Sequence, residues 1–173
     1  MKTAIINIYA GPSAGKSTLA AEVFVALKQQ GKSVELVNEF VKKWAWLGHP
    51  VKGWTDSLYI FGKQLRAESI LWGKVEYIVT DCPLGLSAAY EQFYSPGQTL
   101  LANTYKQVRE LQAAEGIVTN IDVHLMRQFD YKAEGRYETE DQAKKVDNII
   151  RNLVAGFHVK NCKDVLEILA HHK

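Results

Sequence analysis

A short loop of small residues follows an apolar run near the start of the chain. The run TAIINIY leads directly into AGPSAGKST, which covers residues 10–18. A Gly-x-x-x-x-Gly-Lys-Ser/Thr loop between a strand and a helix holds nucleotide phosphates, because small residues let several backbone N–H groups converge on the phosphate oxygens. Alanine occupies the first glycine position here, whereas the second half, GKST, is intact. We therefore predict a phosphate-binding loop, and an ordinary turn is the alternative.

The individual residues of this loop have different expected roles. Lys16 is expected to reach the outer phosphates, and Ser17 is expected to place its hydroxyl on Mg²⁺ at the start of the following helix. A methyl group at Ala10 is the smallest possible departure from glycine. The residues predicted to surround the phosphates are Gly11, Pro12, Ser13, Ala14, Gly15, Lys16, Ser17 and Thr18.

Two acidic residues follow other predicted strands. Asp81 ends VEYIVTD, the place where phosphate-loop proteins carry an acid that contacts Mg²⁺ directly or through water. Its alternative role is to start a turn before Pro83. Glu39 follows the second strand in VNEF and suits a general base that accepts a proton from a substrate hydroxyl. Its alternative role is that of a solvated or helix-starting glutamate. Lys42 and Lys43 follow closely, and two roles are open for this pair: contact with an anionic acceptor, or a solvated face.

Aromatic residues are concentrated after Glu39. Two roles are open for this group: its rings stack against a base, or they pack into the core. The loop at residues 47–53 is expected to position the group over an acceptor. Its members are Trp44, Trp46, Trp54, Tyr59 and Phe61.

A polar segment with two arginines, RQFDYKAEGRYETEDQAKK, follows the fourth predicted strand. We predict that residues 127–140 form a short lid that excludes water and brings Arg127 and Arg136 to the transferring group. The alternative is an exposed loop whose arginines pair with acidic neighbours, namely Asp130, Glu134 or Glu138. Thr139 and Gln142 have the spacing of a capping box and predict the start of a helix.

Strand and helix patterns alternate along the chain, which favours a parallel sheet with helices on both faces. In such sheets ligands bind at the carboxyl ends of the strands, where the residues named above are located. Strands are predicted at residues 3–9, 33–37, 75–81, 121–126 and 157–159. Helices are predicted at residues 17–30, 40–45, 55–72, 84–94, 99–114, 140–154 and 163–170.

Composition places few constraints on partners. The 173 residues have a formal net charge of +2, too small to indicate nucleic acid or membrane binding without a local basic site. Two cysteines, Cys82 and Cys162, make no disulfide framework. No repeat or linker divides the sequence, and no signal peptide or membrane span is evident. We therefore expect one domain over residues 1–173 and a soluble, cytoplasmic protein.

The motifs together resemble a known family. AGPSAGKST resembles the phosphate loop of P-loop nucleoside and nucleotide kinases. In combination with VNEF, YIFGKQL, IVTDCPLGLS and GRYETEDQA, it is similar to small phage-type kinases of the AAA domain class, related to nicotinamide riboside kinases. The resemblance implies a three-layer α/β fold with a five-stranded parallel sheet, ATP with Mg²⁺ as donor, and a lid carrying Arg127 and Arg136. Some relatives phosphorylate hydroxymethyluracil in phage DNA.

The sequence departs from that family after the third strand. Deoxynucleoside kinases place an acid-Arg pair there, whereas Asp81 is followed by Cys82 and Pro83. The leading hypothesis is therefore an ATP-dependent kinase whose acceptor is a nucleoside, a nucleotide or a base in DNA. The alternative is a nucleotide-dependent ATPase or switch that acts through a partner. The identity of the acceptor, the base preference and the oligomeric state do not follow from the sequence.

Overall fold

The computed structural model describes residues 1–127, 130–132 and 137–171. The strands are β1 (Thr3–Tyr9), β2 (Val34–Val37), β3 (Tyr77–Thr80), β4 (Val118–Leu125) and β5 (Phe157–Val159). The helices are α1 (Lys16–Gln29), α2 (Phe40–Trp46), α3 (Gly53–Ser69), α4 (Leu84–Tyr94), α5 (Leu100–Glu115), α6 (Glu140–Leu153) and α7 (Cys162–His171).

The strands form one sheet in the order β2-β3-β1-β4-β5, and every pair is parallel. β1 lies at the centre and is fully buried except at Ala4, which explains its nearly continuous apolar sequence. The predicted α/β class, the five parallel strands and their order along the chain are confirmed. Because all strands run the same way, the residues that follow β1, β2, β3 and β4 lie at one edge of the sheet.

Helices cover both faces of the sheet. On one face, Ile6, Ile8 and Val79 pack with apolar residues of α1 and α7. Adjacent residues point the opposite way, since side chains alternate along a strand: Ile5 and Ile78 pack against the end of α3, and Tyr9 packs against α4 and α6. The three layers predicted from the sequence are therefore present. In the described part of the chain, no helix is long and apolar enough to cross a membrane.

The fourth strand begins three residues before its predicted start, at Val118 instead of residue 121. Asn120, in this added part of the strand, is paired with the neighbouring strand through its side chain. Asn7 donates to Asn120 and to Asp122, and Arg109 forms an ion pair with Asp122 at 2.8 Å. A strand can carry polar side chains toward a buried region when each finds a partner, and amphipathicity alone does not reveal such partners.

One acidic side chain of α3 is buried against the sheet. Glu68 is 1% exposed, and its Oε1 atom has no hydrogen-bond partner among the described residues. Burial, which disfavours the charged carboxylate, raises the pKa of Glu68 to about 8. The folded protein therefore keeps a proton on Glu68 over a pH range in which the unfolded chain releases it.

This burial predicts a pH dependence of stability. Below the unfolded pKa both states hold the proton, and between that value and about 8 only the folded state does. The free energy of unfolding should therefore fall as pH rises from 5 to 8, by more than about 2 kcal/mol from this group. Urea unfolding of the wild type and Glu68→Gln at both pH values measures this, and the variant should show the smaller fall. Glu110→Gln, at an exposed site of α5, is the matched control, and equal slopes in all three proteins would contradict the assignment.

Candidate active site

The phosphate-loop sequence connects β1 to α1 as a tight turn. Two of its residues adopt positive φ, Ser13 at 60° and Gly15 at 98°. Gly15 is the N-cap of α1, and its conformation is accessible to glycine without cost. Ala10 is buried and is not among the residues with positive φ. Its position therefore makes no demand on backbone conformation that alanine cannot meet, which explains why the first glycine of the pattern is dispensable.

The neighbouring Gly11 is the position that requires glycine. A Cβ atom built there would lie 2.7 Å from the carbonyl oxygen of Ala143 and 2.7 Å from Oδ1 of Asp147. Both contacts are to α6, which therefore lies directly against the loop. The close approach of loop and helix, and not a special φ angle, excludes a side chain at this position.

Lys16 extends back across the loop. Its side chain is buried, and Nζ donates a hydrogen bond to the carbonyl oxygen of Gly11 at 3.0 Å. The ammonium group thereby lies inside the curve of the loop, where the predicted role of contacting phosphate oxygens requires it.

Asp81 connects three strand ends. Ser17 donates to Oδ2 of Asp81 at 2.6 Å, and the backbone N–H of Glu39 donates to Oδ1 at 3.0 Å. The carboxylate is 3% exposed. One side chain therefore joins the phosphate loop after β1, the start of α2 after β2, and the end of β3. The turn-starting role does not account for these bonds.

Asp147, on α6, lies against the loop although no sequence motif marks it as a site residue. Its Oδ1 accepts from the backbone N–H of Gly11 at 2.5 Å, and its Oδ2 accepts from Nη2 of Arg127 at 2.9 Å. Arg127 is thus in an ion pair with an acid that the sequence did not suggest, and Glu134, one of the three acids considered, lies outside the described residues. Asp147 lies within KKVDNII, which matches no local motif, so only the packing of α6 against the loop reveals its role.

The lid segment contacts the site at several described positions. The backbone N–H of Lys132 donates to Oγ of Ser13 at 2.9 Å, and the hydroxyl of Tyr137 donates to the carbonyl oxygen of His49 at 2.6 Å. The predicted capping box of Thr139 and Gln142 is confirmed at the start of α6. Arg136, the second predicted lid arginine, lies outside the described residues.

The aromatic residues after Glu39 have divided roles. Phe61 is buried among Leu84 and Leu101, so it belongs to the core. Trp44 packs on Phe40 and Tyr59, whereas Trp46 is exposed. Trp54 is the tryptophan of this group whose side chain lines a cavity. Neither alternative from the sequence, stacking on a base or core packing, holds for the whole group.

That cavity has a volume of about 520 Å³ and lies beside the phosphate loop. Pro12 and Glu39 form part of its wall, and Trp54, Tyr90 and Tyr137 form other parts. Its size is within the range of pockets that enclose small organic ligands. Glu39 thus lies between the loop and a space large enough for an acceptor.

Cys82 also lines the cavity, but its thiol is not suited to nucleophilic chemistry. Burial and the charges of Glu39 and Asp81 raise the pKa of Cys82 well above its ordinary value. The thiol consequently stays protonated near neutral pH, and the interpretation of Cys82 as a small buried residue fits.

The loop and its acid are chemically suited to a nucleotide with Mg²⁺. Mg²⁺ prefers oxygen ligands and is usually bound by one or two protein groups together with phosphates and water. Ser17 and Asp81 supply a hydroxyl and a carboxylate in contact with each other. Among the described residues no group of three or more His, Cys, Asp or Glu side chains gathers as a metal site.

The chain matches no protein-family model, and a search of the curated proteins finds no match either.

The loop geometry predicts opposite effects for two neighbouring substitutions. Gly11→Ala places a methyl group against α6 and should weaken ATP binding at least about tenfold, because backbone donors must shift. Ala10→Gly should change the affinity by less than about twofold, because alanine already fits there. Titration calorimetry with ATP and Mg²⁺ measures both. Equal effects would show that the contact between Gly11 and α6 does not shape the loop.

A double-mutant cycle tests the bridge formed by Asp147. Removing either Asp147 or Arg127 leaves the other charge without this partner, so each alanine variant should lose about 1–3 kcal/mol of stability. The double variant should lose less than the sum, with a coupling of about 1 kcal/mol or more. Urea unfolding of the four proteins gives the coupling, and additive losses would exclude a direct interaction.

Proposed function

We propose that the chain is an ATP-dependent phosphotransferase with a P-loop kinase fold, requiring Mg²⁺ and acting on an acceptor held in the cavity beside Glu39. The observation that carries the proposal is the pair of bonds from Asp81 to Ser17 and to the backbone of Glu39. These bonds hold the loop of residues 10–18, the acid proposed for Mg²⁺ and the proposed base close together, beside a cavity of about 520 Å³. The parallel sheet with helices on both faces agrees with this fold.

ATP with Mg²⁺, when bound, supplies the transferable phosphoryl group and neutralises part of its charge. The backbone N–H groups of the loop and the ammonium of Lys16 would hold the phosphates. Ser17 and Asp81 would hold Mg²⁺ through their oxygens. Such a site accelerates transfer mainly by positioning and by stabilising charge, so rigidity of the loop matters for its chemistry.

Glu39 would act on the acceptor. Its backbone is fixed by Asp81, and its side chain is on the cavity wall. A carboxylate there suits removal of a proton from a hydroxyl as the oxygen attacks phosphorus. An acceptor that is itself a phosphate is already ionised and needs no such base.

The roles of the two arginines in the predicted lid rest on different kinds of support. Arg127 is held by Asp147, which anchors the lid to the phosphate loop, and contact with a transferring phosphoryl group would require release from this ion pair. Arg136 remains a prediction from the sequence and the resemblance, as a residue that would stabilise charge on the transferring group.

The cavity favours a kinase over the alternative, an ATPase or switch acting through a partner. A switch needs a site for water and a surface for its partner, whereas a cavity of about 520 Å³ with an acid at its wall suits a small acceptor. The acceptor classes that follow from the resemblance are a nucleoside, a nucleotide or a hydroxymethylated base in DNA. The proposed cellular location of the protein is the cytoplasm.

Glu39→Gln tests the proposed base. With a hydroxyl acceptor, the variant should lose about 10²–10⁴-fold in kcat while binding ATP normally, because the amide cannot accept the proton. Transfer of label from γ-labelled ATP to a panel of nucleosides, monophosphates and normal or hydroxymethylated DNA measures the loss. Turnover equal to wild type would exclude the base role.

Lys16→Ala is the control for the donor site. It should abolish label transfer to every acceptor while leaving the fold intact by circular dichroism. Label transfer that survives this substitution would contradict the assignment of the phosphate loop. ATP hydrolysis that no acceptor stimulates would favour the switch.

A further inference from the structure

The cavity beside Glu39 has an uneven distribution of charge. Among its lining residues that the structure describes, the carboxylates are Glu39, Glu91 and Glu138, and Lys42 is the one lysine or arginine. Lys42 lies on α2 and is partly exposed. Among the described lining residues, acidic side chains therefore outnumber basic ones by three to one.

The three carboxylates are not equivalent. Both oxygens of Glu91 accept from the backbone N–H of Leu101 at 2.9 Å, at the start of α5. The positive end of that helix offsets the charge of Glu91. Glu138, in contrast, accepts from the hydroxyl of Tyr94 at 2.6 Å, and this donor is neutral. The hydrogen bond positions the carboxylate of Glu138 without neutralising it.

A neighbouring group reports the resulting potential. Burial, followed by the negative charges of Glu138 and Glu39, raises the pKa of Tyr90 well above its ordinary value. Burial is the larger cause and acts on Tyr90 itself, whereas the two carboxylates also act on a ligand beside them. A phosphate monoester, with up to two negative charges, would be repelled by Glu138 and Glu39.

The rest of the wall suits an uncharged polar molecule. Trp54 and Tyr90 offer aromatic rings, while Ser87, Ser95 and Gln98 offer neutral hydrogen-bonding groups. Aromatic rings beside a few polar groups are typical of pockets that bind flat rings carrying hydroxyl or amide groups.

The volume and walls of the cavity limit the size of an acceptor. Tyr137, on the lid, bonds to the carbonyl oxygen of His49, in the loop between α2 and α3. Tyr137 and that loop both line the cavity, so this contact connects two of its walls. A molecule of nucleoside size fits about 520 Å³.

We propose that the acceptor is a free, uncharged molecule of nucleoside size that bears a hydroxyl group, and that the negative wall at Glu39 and Glu138 discriminates against phosphate monoesters. This inference rests on the proposed kinase function. In the transfer, the acceptor oxygen bonds to the γ-phosphorus, the bond from that phosphorus to the bridging oxygen of ADP breaks, and Glu39 takes the hydroxyl proton. The products are ADP and a phosphate monoester, which the same wall disfavours.

Binding and transfer are measured separately so that the two proposals can fail independently. Nucleosides, their 5′-monophosphates and single-stranded DNA are titrated against the protein with a non-hydrolysable ATP analogue and Mg²⁺, using tryptophan fluorescence and calorimetry. Label transfer from ATP is measured with the same compounds. We expect at least one nucleoside to bind about tenfold or more tightly than its monophosphate and to accept label with higher kcat/KM.

Glu138→Gln tests the source of the discrimination. The amide oxygen can still accept from Tyr94, so the contact is retained while the charge is removed. The ratio of monophosphate to nucleoside affinity should rise severalfold in this variant. Glu110→Gln, at an exposed residue of α5 that pairs with Lys106 outside the cavity, is the matched control and should leave the ratio unchanged.

Five outcomes are distinguishable. Nucleoside binding with transfer supports both proposals, and nucleoside binding without transfer supports the cavity assignment while contradicting the kinase. If monophosphates bind and react equally to nucleosides, the cavity assignment is wrong and the kinase proposal still holds. Transfer to DNA alone leads to the same conclusion. An affinity ratio that is identical in wild type and Glu138→Gln overturns the role of the negative wall.

Discussion

The carboxylate of Asp81 is the constraint on which the arrangement of the site depends. It lies at the end of β3, buried, and accepts from Ser17 on one oxygen and from the backbone of Glu39 on the other. A buried charge is stable only when its hydrogen bonds are satisfied, so the chain after β1 and the chain after β2 are both drawn to it. The parallel sheet brings the three strand ends together, and this one side chain fixes their spacing. A candidate base and a candidate metal site consequently share a single anchor.

A second anchor, Asp147, acts on the opposite side of the phosphate loop. It holds the N–H of Gly11 and the guanidinium of Arg127, and so connects α6, the loop and the start of the lid. The contact explains which small residue in AGPSAGKST matters. The first glycine of the usual pattern is replaced without consequence for backbone geometry, while the next residue must lack a side chain because α6 lies against it. Tolerance in such a loop is therefore set by the packing around it as much as by backbone conformation.

The sequence was sufficient for the sheet and for the parts of the site that follow strands. Alternating buried runs and helical segments predict the class, and parallel strands bring residues such as Glu39 and Asp81 to one edge. Asp147 is 136 residues from Gly11 along the chain, so no local sequence pattern indicates that the two residues are in contact. The early start of β4 was missed for a related reason, since Asn120 looks like a loop residue until Asn7 is seen to bond to it. The cavity wall likewise joins α2, α4 and the lid, which only the tertiary structure assembles.

Charge divides the proposed site into two halves with different chemistry. On the donor side, Lys16 and the backbone donors of the loop offer positive potential, which suits polyphosphate. On the acceptor side, Glu39 and Glu138 face the cavity, and no described arginine lines it. This division suits transfer of a phosphoryl group to an uncharged hydroxyl. Unlike a polyphosphate, such an acceptor is not repelled by the carboxylates of the cavity wall, and one of these carboxylates, Glu39, is the proposed base. After transfer, the product carries the charge that the wall opposes, so the electrostatics that select the acceptor also favour product release.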